Sequence, residues 1–417
     1  MTDSSTSART ILSGADVVLP DHVIGPATLV IEHGVIAEIA SGVRAASDGE
    51  THVDVTGHLI VPGFIDVHVH GLEGHDTLTG DEGIDAMARR LPRYGVTGFC
   101  PTSIACGPRA LTQMLDNLRR ARREPARGAA RVLPAHLESN FINENYKGAQ
   151  PLDCIRRPPS PVGDDDDHGP VEDVDHSGSG EHFTASDLLG VIDRYRAEVG
   201  IITLAPEMPN AIALTERLVR AGHRVSLGHS GATLDEAMAG IAAGARHATH
   251  LFNRMTPFSH REPGLTGAVL QAEELAAEII CDGHHVHPAA VKLAIALKRA
   301  GRMMAITDGT AGSGLPLGSR VTIGNRPITV TETAAYLDDG TLAGSILTMD
   351  GAFRLLVRVV GCNVVEAAMM CATTAARELN LENRGVIAQG AVADLAVLTS
   401  NLEVARTYIG GELAYPF

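Results

Sequence analysis

The sequence predicts an α/β fold: a (β/α)8 TIM-type barrel with a small β-sandwich domain built from both chain ends. Three observations lead there. Amphipathic helical stretches alternate with short apolar runs through the middle of the chain. Both flanks instead carry short β-branched segments broken by Gly, His and Asp. The length, 417 residues, exceeds one minimal domain and suits a large barrel with a smaller attachment.

In the first flank, ILSGADVVLP, PATLVIEHGVIAEI and THVDVTGHLIVPG read as strands separated by turns, with no helical stripe of useful length. The texture changes at LIVPGFIDVHVHG, a buried strand running into a polar end. Thereafter GIDAMARRLPRYG precedes VTGFCPTS, ALTQMLDNLRRARR precedes ARVLPAHLE, and LLGVIDRYRAEVG precedes IITLAPE. ALTERLVRAG then precedes RVSLGHS, LDEAMAGIAAGA precedes RHATHLFN, and VKLAIALKRAG precedes RMMAITDG. Helix followed by apolar strand, repeated, is the pattern of βα units and a parallel sheet, and seven or eight units close a barrel. The competing open doubly wound sheet calls for a Gly-rich phosphate loop after its first strand, and no G-x-G-x-x-G occurs there. RVTIGNRPITV, GVIAQGAVADLAVL and LEVARTYIGGELAYPF return to strand-and-turn texture, so the flanks are expected to pair into one β domain. The expected units are 1–60 and 379–417 for that domain and 61–378 for the barrel. An acidic loop is inserted near 158–183, with eight acidic residues and no Lys or Arg from Asp164 to Glu181. Such a run reads as a solvated loop, with weak divalent-cation binding as the alternative.

Composition narrows the function. Lys and Arg total 34 against 50 Asp and Glu, a net charge of −16, which disfavours nucleic acid as a partner. A small anion can still bind where local Arg and backbone N–H groups converge. Trp is absent and aromatics make up 3%, too few for a stacking platform. Nowhere do eighteen apolar residues run together, and the first twenty hold no signal-like stretch, so a cytoplasmic protein without a membrane span is expected. The six cysteines (Cys100, Cys106, Cys154, Cys281, Cys362 and Cys371) form no C-x-x-C pair and read as reduced core thiols.

Polar side chains collect where the apolar strands stop. His68 and His70 follow FIDV, Glu138 follows VLPAHL, His229 follows RVSLG, His250 follows RHAT, and Asp308 follows MMAIT. In a barrel these positions lie at the C-terminal mouth, where catalytic groups sit. With 19 His in the chain an H-x-H spacing arises readily by chance, and two occur, at 68/70 and 285/287. A lone buried His is more often a satisfied core residue than a ligand, and Asp308 alone reads equally as a helix N-cap. The joint set in barrel order carries the argument. His68 and His70 share one face of a strand, and imidazole nitrogens with carboxylate oxygens are ligands for Zn2+ or Fe2+. A cation there acidifies water, and a nearby carboxylate can take and return the proton.

The motifs carry a resemblance. PGFIDVHVHG resembles the first-strand signature of the amidohydrolase superfamily. HLESNFINENYKGAQP, SLGHSGAT, HATHLFNRMTPFSHREPGLTGAVL, CDGHHVHP, ITDG and DDGTLAGSILTMD are similar to the N-acetylglucosamine-6-phosphate deacetylase family. The resemblance runs from about residue 10 to the C-terminus, apart from the acidic insertion. It implies Glu138, His229 and His250 as metal ligands and His68 and His70 as a pair for a second ion, hence one or two divalent ions per subunit. It implies Asp308 as the catalytic acid–base, and Asn253, Arg261 and His285 as residues that hold the sugar phosphate. It also implies a homodimer whose partner subunit contributes at the phosphate. Arg261 makes independent sense, because guanidinium pairs bidentately with phosphate, although a surface ion pair with Glu262 is the plain alternative.

Three departures surround the substrate side. Ser139 and Asn140 stand where the family has Gly-Pro, Gln150 stands at the family His, and Gly309, Thr310 and Ala311 replace Ala-Met-Ala after Asp308. Gln150 can donate an N–H but is never cationic, and loss of one transition-state donor typically costs about 10²–10³ in rate. Ser139 and Gln150 are therefore expected at the substrate, with the ligand set intact. The leading expectation is metal-dependent hydrolysis of the N-acetyl group of an amino-sugar phosphate, foremost N-acetylglucosamine 6-phosphate. The alternatives are a paralogue acting on another N-acetyl amino sugar or amide, or a weakly active homologue that binds the amino-sugar phosphate. A nucleotide-binding oxidoreductase is disfavoured by the missing Gly-rich turn.

Overall fold

The computed structural model describes residues 9–45, 47–160 and 182–416. The expected acidic loop falls mostly at 161–181, outside the described residues. Eight parallel strands follow one another around the barrel: β1 (Phe64–Val69), β2 (Val96–Ser103), β3 (Ala135–Leu137), β4 (Val199–Leu204), β5 (Arg224–Leu227), β6 (His247–Ala248), β7 (Ala276–Ile280) and β8 (Met303–Ile306). Each pairs with its neighbour in chain order. Beyond β8 the ring closes onto β1, where Asp308 N donates to His68 O (2.9 Å) and His70 N to Gly309 O (2.8 Å). Every residue of β1, β2, β7 and β8 is buried, as expected for parallel strands covered on both faces. Ile65, Val67, Cys100, Ile201, Ile280, Met304 and Ile306 share one apolar cluster.

The helices form for local reasons. Pro108–Arg123 begins with Pro108 in its first turn and ends with Arg120, Arg122 and Arg123, which complement the helix dipole. Its buried Leu111, Met114, Leu115 and Leu118 recur at helical spacing along one face. Ala185–Arg194 and Leu234–Ala242 start with reciprocal capping boxes, Thr184 with Asp187 and Thr233 with Glu236, each cap contributing about 1 kcal/mol.

Both flanks join in one eight-stranded sheet. Leu59–Pro62 from the first flank pairs antiparallel with Leu395–Leu398 from the second. Leu12, Leu29, Ile36 and Ile60 from one end and Leu395, Val397 and Tyr408 from the other share an apolar core. RVTIGNRPITV has the strand texture of the flanks but takes no part in that sheet. Arg320–Ile323 and Arg326–Val330 open a separate four-stranded antiparallel meander that ends at Leu342–Gly344. Its apolar side, Ile323, Ile328 and Leu337, packs with Ile104 just beyond β2, and Gly324 N donates to Asp76 Oδ2 at 3.0 Å. The strand texture was readable, but not the surface that its apolar side covers. Among the described residues no helix is long and apolar enough to cross a membrane.

Barrel and sheet meet at Asp394, whose side chain is 4% exposed and lies 3.1 Å from Arg131. The same carboxylate accepts from Gly410 N at 2.7 Å. Asp394→Ala is expected to cost about 2–3 kcal/mol, since Gly410 N–H and the Arg131 charge then lose their partner; denaturant unfolding measures it.

Candidate metal and active site

The C-terminal mouth gathers side chains from the ends of β1, β3, β5, β6 and β8. His229, His250 and Asp308 each lie two residues beyond a strand with positive φ, at 49°, 32° and 47°. A non-glycine residue in that region costs about 1–3 kcal/mol and persists only where its surroundings hold it. All three sit where the chain turns across the mouth.

Glu138 is the hub. Its Oε1 lies 2.8 Å from His229 Nε2 and 2.8 Å from His250 Nε2, and its Oε2 lies 3.4 Å from His70 Nε2. His70 Nε2 is 3.2 Å from His68 Nε2 and 3.3 Å from Asp308 Oδ1. The structure thus brings together the five expected ligands and Asp308. Burial pushes His70 and His250 towards the neutral form. For His70, hydrogen bonds and charge from Asp308 and Glu138 outweigh it and raise the group to about 10; Glu138 raises His250 to about 9. Burial likewise opposes ionisation of Glu138 and Asp308, yet His229 and His250 hold Glu138 well below the usual range, and His70 and His68 hold Asp308 below it.

These residues fit a divalent cation. His229 and His250 bring their Nε2 atoms within 3.1 Å of each other on one carboxylate oxygen. Two protonated nitrogens so placed repel, and a cation bound between lone pairs removes the conflict. His68, His70 and Glu138 form one ligand-type group and Glu138, His229 and His250 another, each with its donor atoms within 4.8 Å.

The remaining expected residues separate. Gln150 is buried at the centre: its Oε1 accepts from Ala105 N at 2.7 Å, which directs its amide nitrogen to Glu138 Oε2. Asn253 and His285 line the same cavity as Glu138. Asp282 binds His285 Nδ1 at 2.5 Å, leaving the buried Nε2 without a partner among the described residues. Ser139 corrects the expectation of a side chain facing substrate, because its hydroxyl donates to the Thr203 carbonyl. Asn140 likewise turns away, to the carbonyls of Cys106 (2.8 Å) and Cys154 (2.7 Å). Arg261 is exposed and outside the cavity lining; among the described residues it makes no ion pair with Glu262. A wider groove of about 1150 Å³ adjoins through Ile104 and Gln150, with Lys147 and Arg326 along it.

The sequence reading missed Arg254 at the cavity and Glu278 and His136 beneath it. Glu278 carried a signal, a carboxylate inside the buried strand AAEII.

A barrel mouth with this donor set matches the make-up of a metal-dependent hydrolase site. Residues 59–414 match the Amidohydrolase family profile. The chain is 34% identical over 394 residues to N-acetylglucosamine-6-phosphate deacetylase of Lysinibacillus sphaericus, covering 92% of each chain. It is 31% identical over 404 residues to N-acetylgalactosamine-6-phosphate deacetylase of Escherichia coli O157:H7, covering 94% of this chain and 99% of that one. The structure of a Mycobacterium smegmatis N-acetyl-D-glucosamine-6-phosphate deacetylase variant, in complex with N-acetyl-D-glucosamine-6-phosphate, superposes with a TM-score of 0.84 at 28% identity, covering 98% of this chain and 99% of that one. The chain belongs to the amidohydrolase family, within its group of N-acetylglucosamine-6-phosphate deacetylases.

Glu138→Ala removes the anion that His70, His229 and His250 share. Divalent cation retained after desalting is expected to fall from stoichiometric to near zero with the far-UV circular dichroism unchanged, as metal analysis will measure.

Proposed function

We propose that this hydrolase cleaves the N-acetyl group of N-acetylglucosamine 6-phosphate, giving glucosamine 6-phosphate and acetate. The observation that carries the reading is the convergence of four ligand-type side chains (His70, Glu138, His229 and His250) and Asp308 in one cavity, with His68 buried 3.2 Å behind His70, in a chain similar throughout to enzymes of that name. Glu138, His229 and His250 would hold one cation, with His68 and His70 available for a second, and Zn2+ and Fe2+ both suit these donors. When bound, the cation supplies Lewis acidity that polarises the acyl carbonyl and acidifies water.

The chain's own groups do the rest. Asp308, whose Oδ1 lies 3.3 Å from His70 Nε2 at the centre of the donor cluster, accepts a proton from the attacking water and returns it to the leaving amine. Gln150 spends one amide hydrogen on Glu138 and keeps the other for the acyl oxygen. His285 offers its unpartnered Nε2, and Asn253 its side-chain amide, to the sugar. Arg261 serves the phosphate. Its exposed position, away from its own cavity, supports a homodimer in which it reaches the neighbouring subunit's substrate. Six buried cysteines, none of them in a disulfide, support a reducing cytoplasmic setting.

Asp308→Asn is expected to lower kcat for amine release by about 10²–10⁴, while Arg261→Ala raises KM for the phosphate ester. A second reading, the C4-epimeric N-acetylgalactosamine 6-phosphate, is favoured by the similarity to the Escherichia coli enzyme over 99% of its length. Comparing kcat/KM for the two phosphates and for unphosphorylated N-acetylglucosamine decides between them. If metal-loaded protein turns over none of the three, both readings fall.

A further inference from the structure

We infer that Glu278 is a positioning residue for the metal centre, acting through His68 and His250 without touching substrate. Glu278 lies on β7 inside the barrel and is fully buried. Its Oε2 is 2.9 Å from His68 Nδ1 and accepts from His250 N at 3.3 Å. One carboxylate oxygen therefore grips an expected ligand from each half of the donor cluster. A carboxylate accepts only, so His68 carries its proton on Nδ1 and turns the Nε2 lone pair to the mouth. The backbone carbonyl of Glu278 also accepts from Leu251 N at 2.8 Å. Side chain and main chain together fix the left-handed turn at His250, whose φ is 32°.

Glu278 also forms a ligand-type group with His136 and His68, and the hydrogen bonds speak against a cation there. His136 Nδ1 lies 3.0 Å from the Val67 carbonyl, which only accepts, so that nitrogen carries a proton. His136 Nε2 is 2.8 Å from Thr203 Oγ1. Both nitrogens of His136 are thus committed. The group is a hydrogen-bonded floor under the mouth. A carboxylate behind a ligating imidazole raises its basicity, and loss of such a partner typically costs 10–100-fold in metal affinity.

This inference rests on the reading that the mouth binds a divalent cation, so the test measures that first. Zn2+ affinity of the wild-type protein, Glu278→Gln, His68→Gln and the double variant is determined by chelator competition at equal far-UV circular dichroism. The expected result is a loss of about 10–100-fold for Glu278→Gln that shrinks in the His68→Gln background, because the two act as one unit. The visible spectrum of the Co2+-loaded protein is expected to change with Glu278→Gln. Unchanged affinity and spectrum, or the same loss in both backgrounds, overturns the inference. Should Glu278→Gln fail to fold, Glu278→Asp replaces it, since it keeps the charge but withdraws it from His68; unchanged affinity there also overturns the inference. A wild-type protein that binds no Zn2+ overturns the metal reading itself and this inference with it.

Discussion

Glu138 sets the constraint on which the rest depends. A carboxylate that is 4% exposed is costly unless cations or hydrogen-bond donors surround it. No single element supplies enough of them. His70 comes from the end of β1, His229 from β5, His250 from β6 and Gln150 from the loop after β3. The closed ring of parallel strands brings these ends to one point, because each strand ends at the same rim, and the short turns beyond them accept unfavourable backbone angles to do so.

Beneath the rim the interior is more polar than the strand texture suggests. Ser226, Thr249 and Thr203 connect in series at 2.6 and 2.8 Å and end on His136. Asp66 is fully buried and accepts from Thr307 Oγ1 at 2.6 Å; desolvation dominates over its hydrogen bonds and pushes it up to about 6. Satisfied buried networks of this kind hold their members in one geometry. Here they sit directly below the ligand side chains, on the same strands, and stiffen the base from which His68 and Asp308 project.

Much of this arrangement is legible in the sequence. Strand ends that switch from apolar residues to His, Glu or Asp mark the mouth, because catalytic groups of a parallel barrel collect at the C-terminal rim. The paired β flanks are legible for a related reason, since their alternation lacks any helical period. Hydrogen-bond direction is not legible. Ser139 follows Glu138 immediately, yet its hydroxyl serves the backbone of β4, and Gln150 is turned by a single backbone N–H of Ala105. Glu278 escaped notice because it is the middle residue of its strand, away from the strand ends where polar groups mark the mouth. Nor did the meander reveal its place, since Ile323 and Ile328 pack with Ile104 from far earlier in the chain.

The pairing of Leu59–Pro62 with Leu395–Leu398 has a consequence for biosynthesis. The first flank emerges from the ribosome long before its partner strand exists. At about 5–20 residues per second that interval lasts tens of seconds. During it the strands Arg9–Val18, Val23–Glu32 and Val35–Ser41 can form their own hairpins, while the Leu59–Pro62 edge stays open. The barrel is therefore translated entirely between two halves of another sheet, and its ring can close before that sheet is whole. Strands made after the barrel then close the open edge. The small domain can thus be completed only after the barrel has been translated, although its first strands precede the barrel.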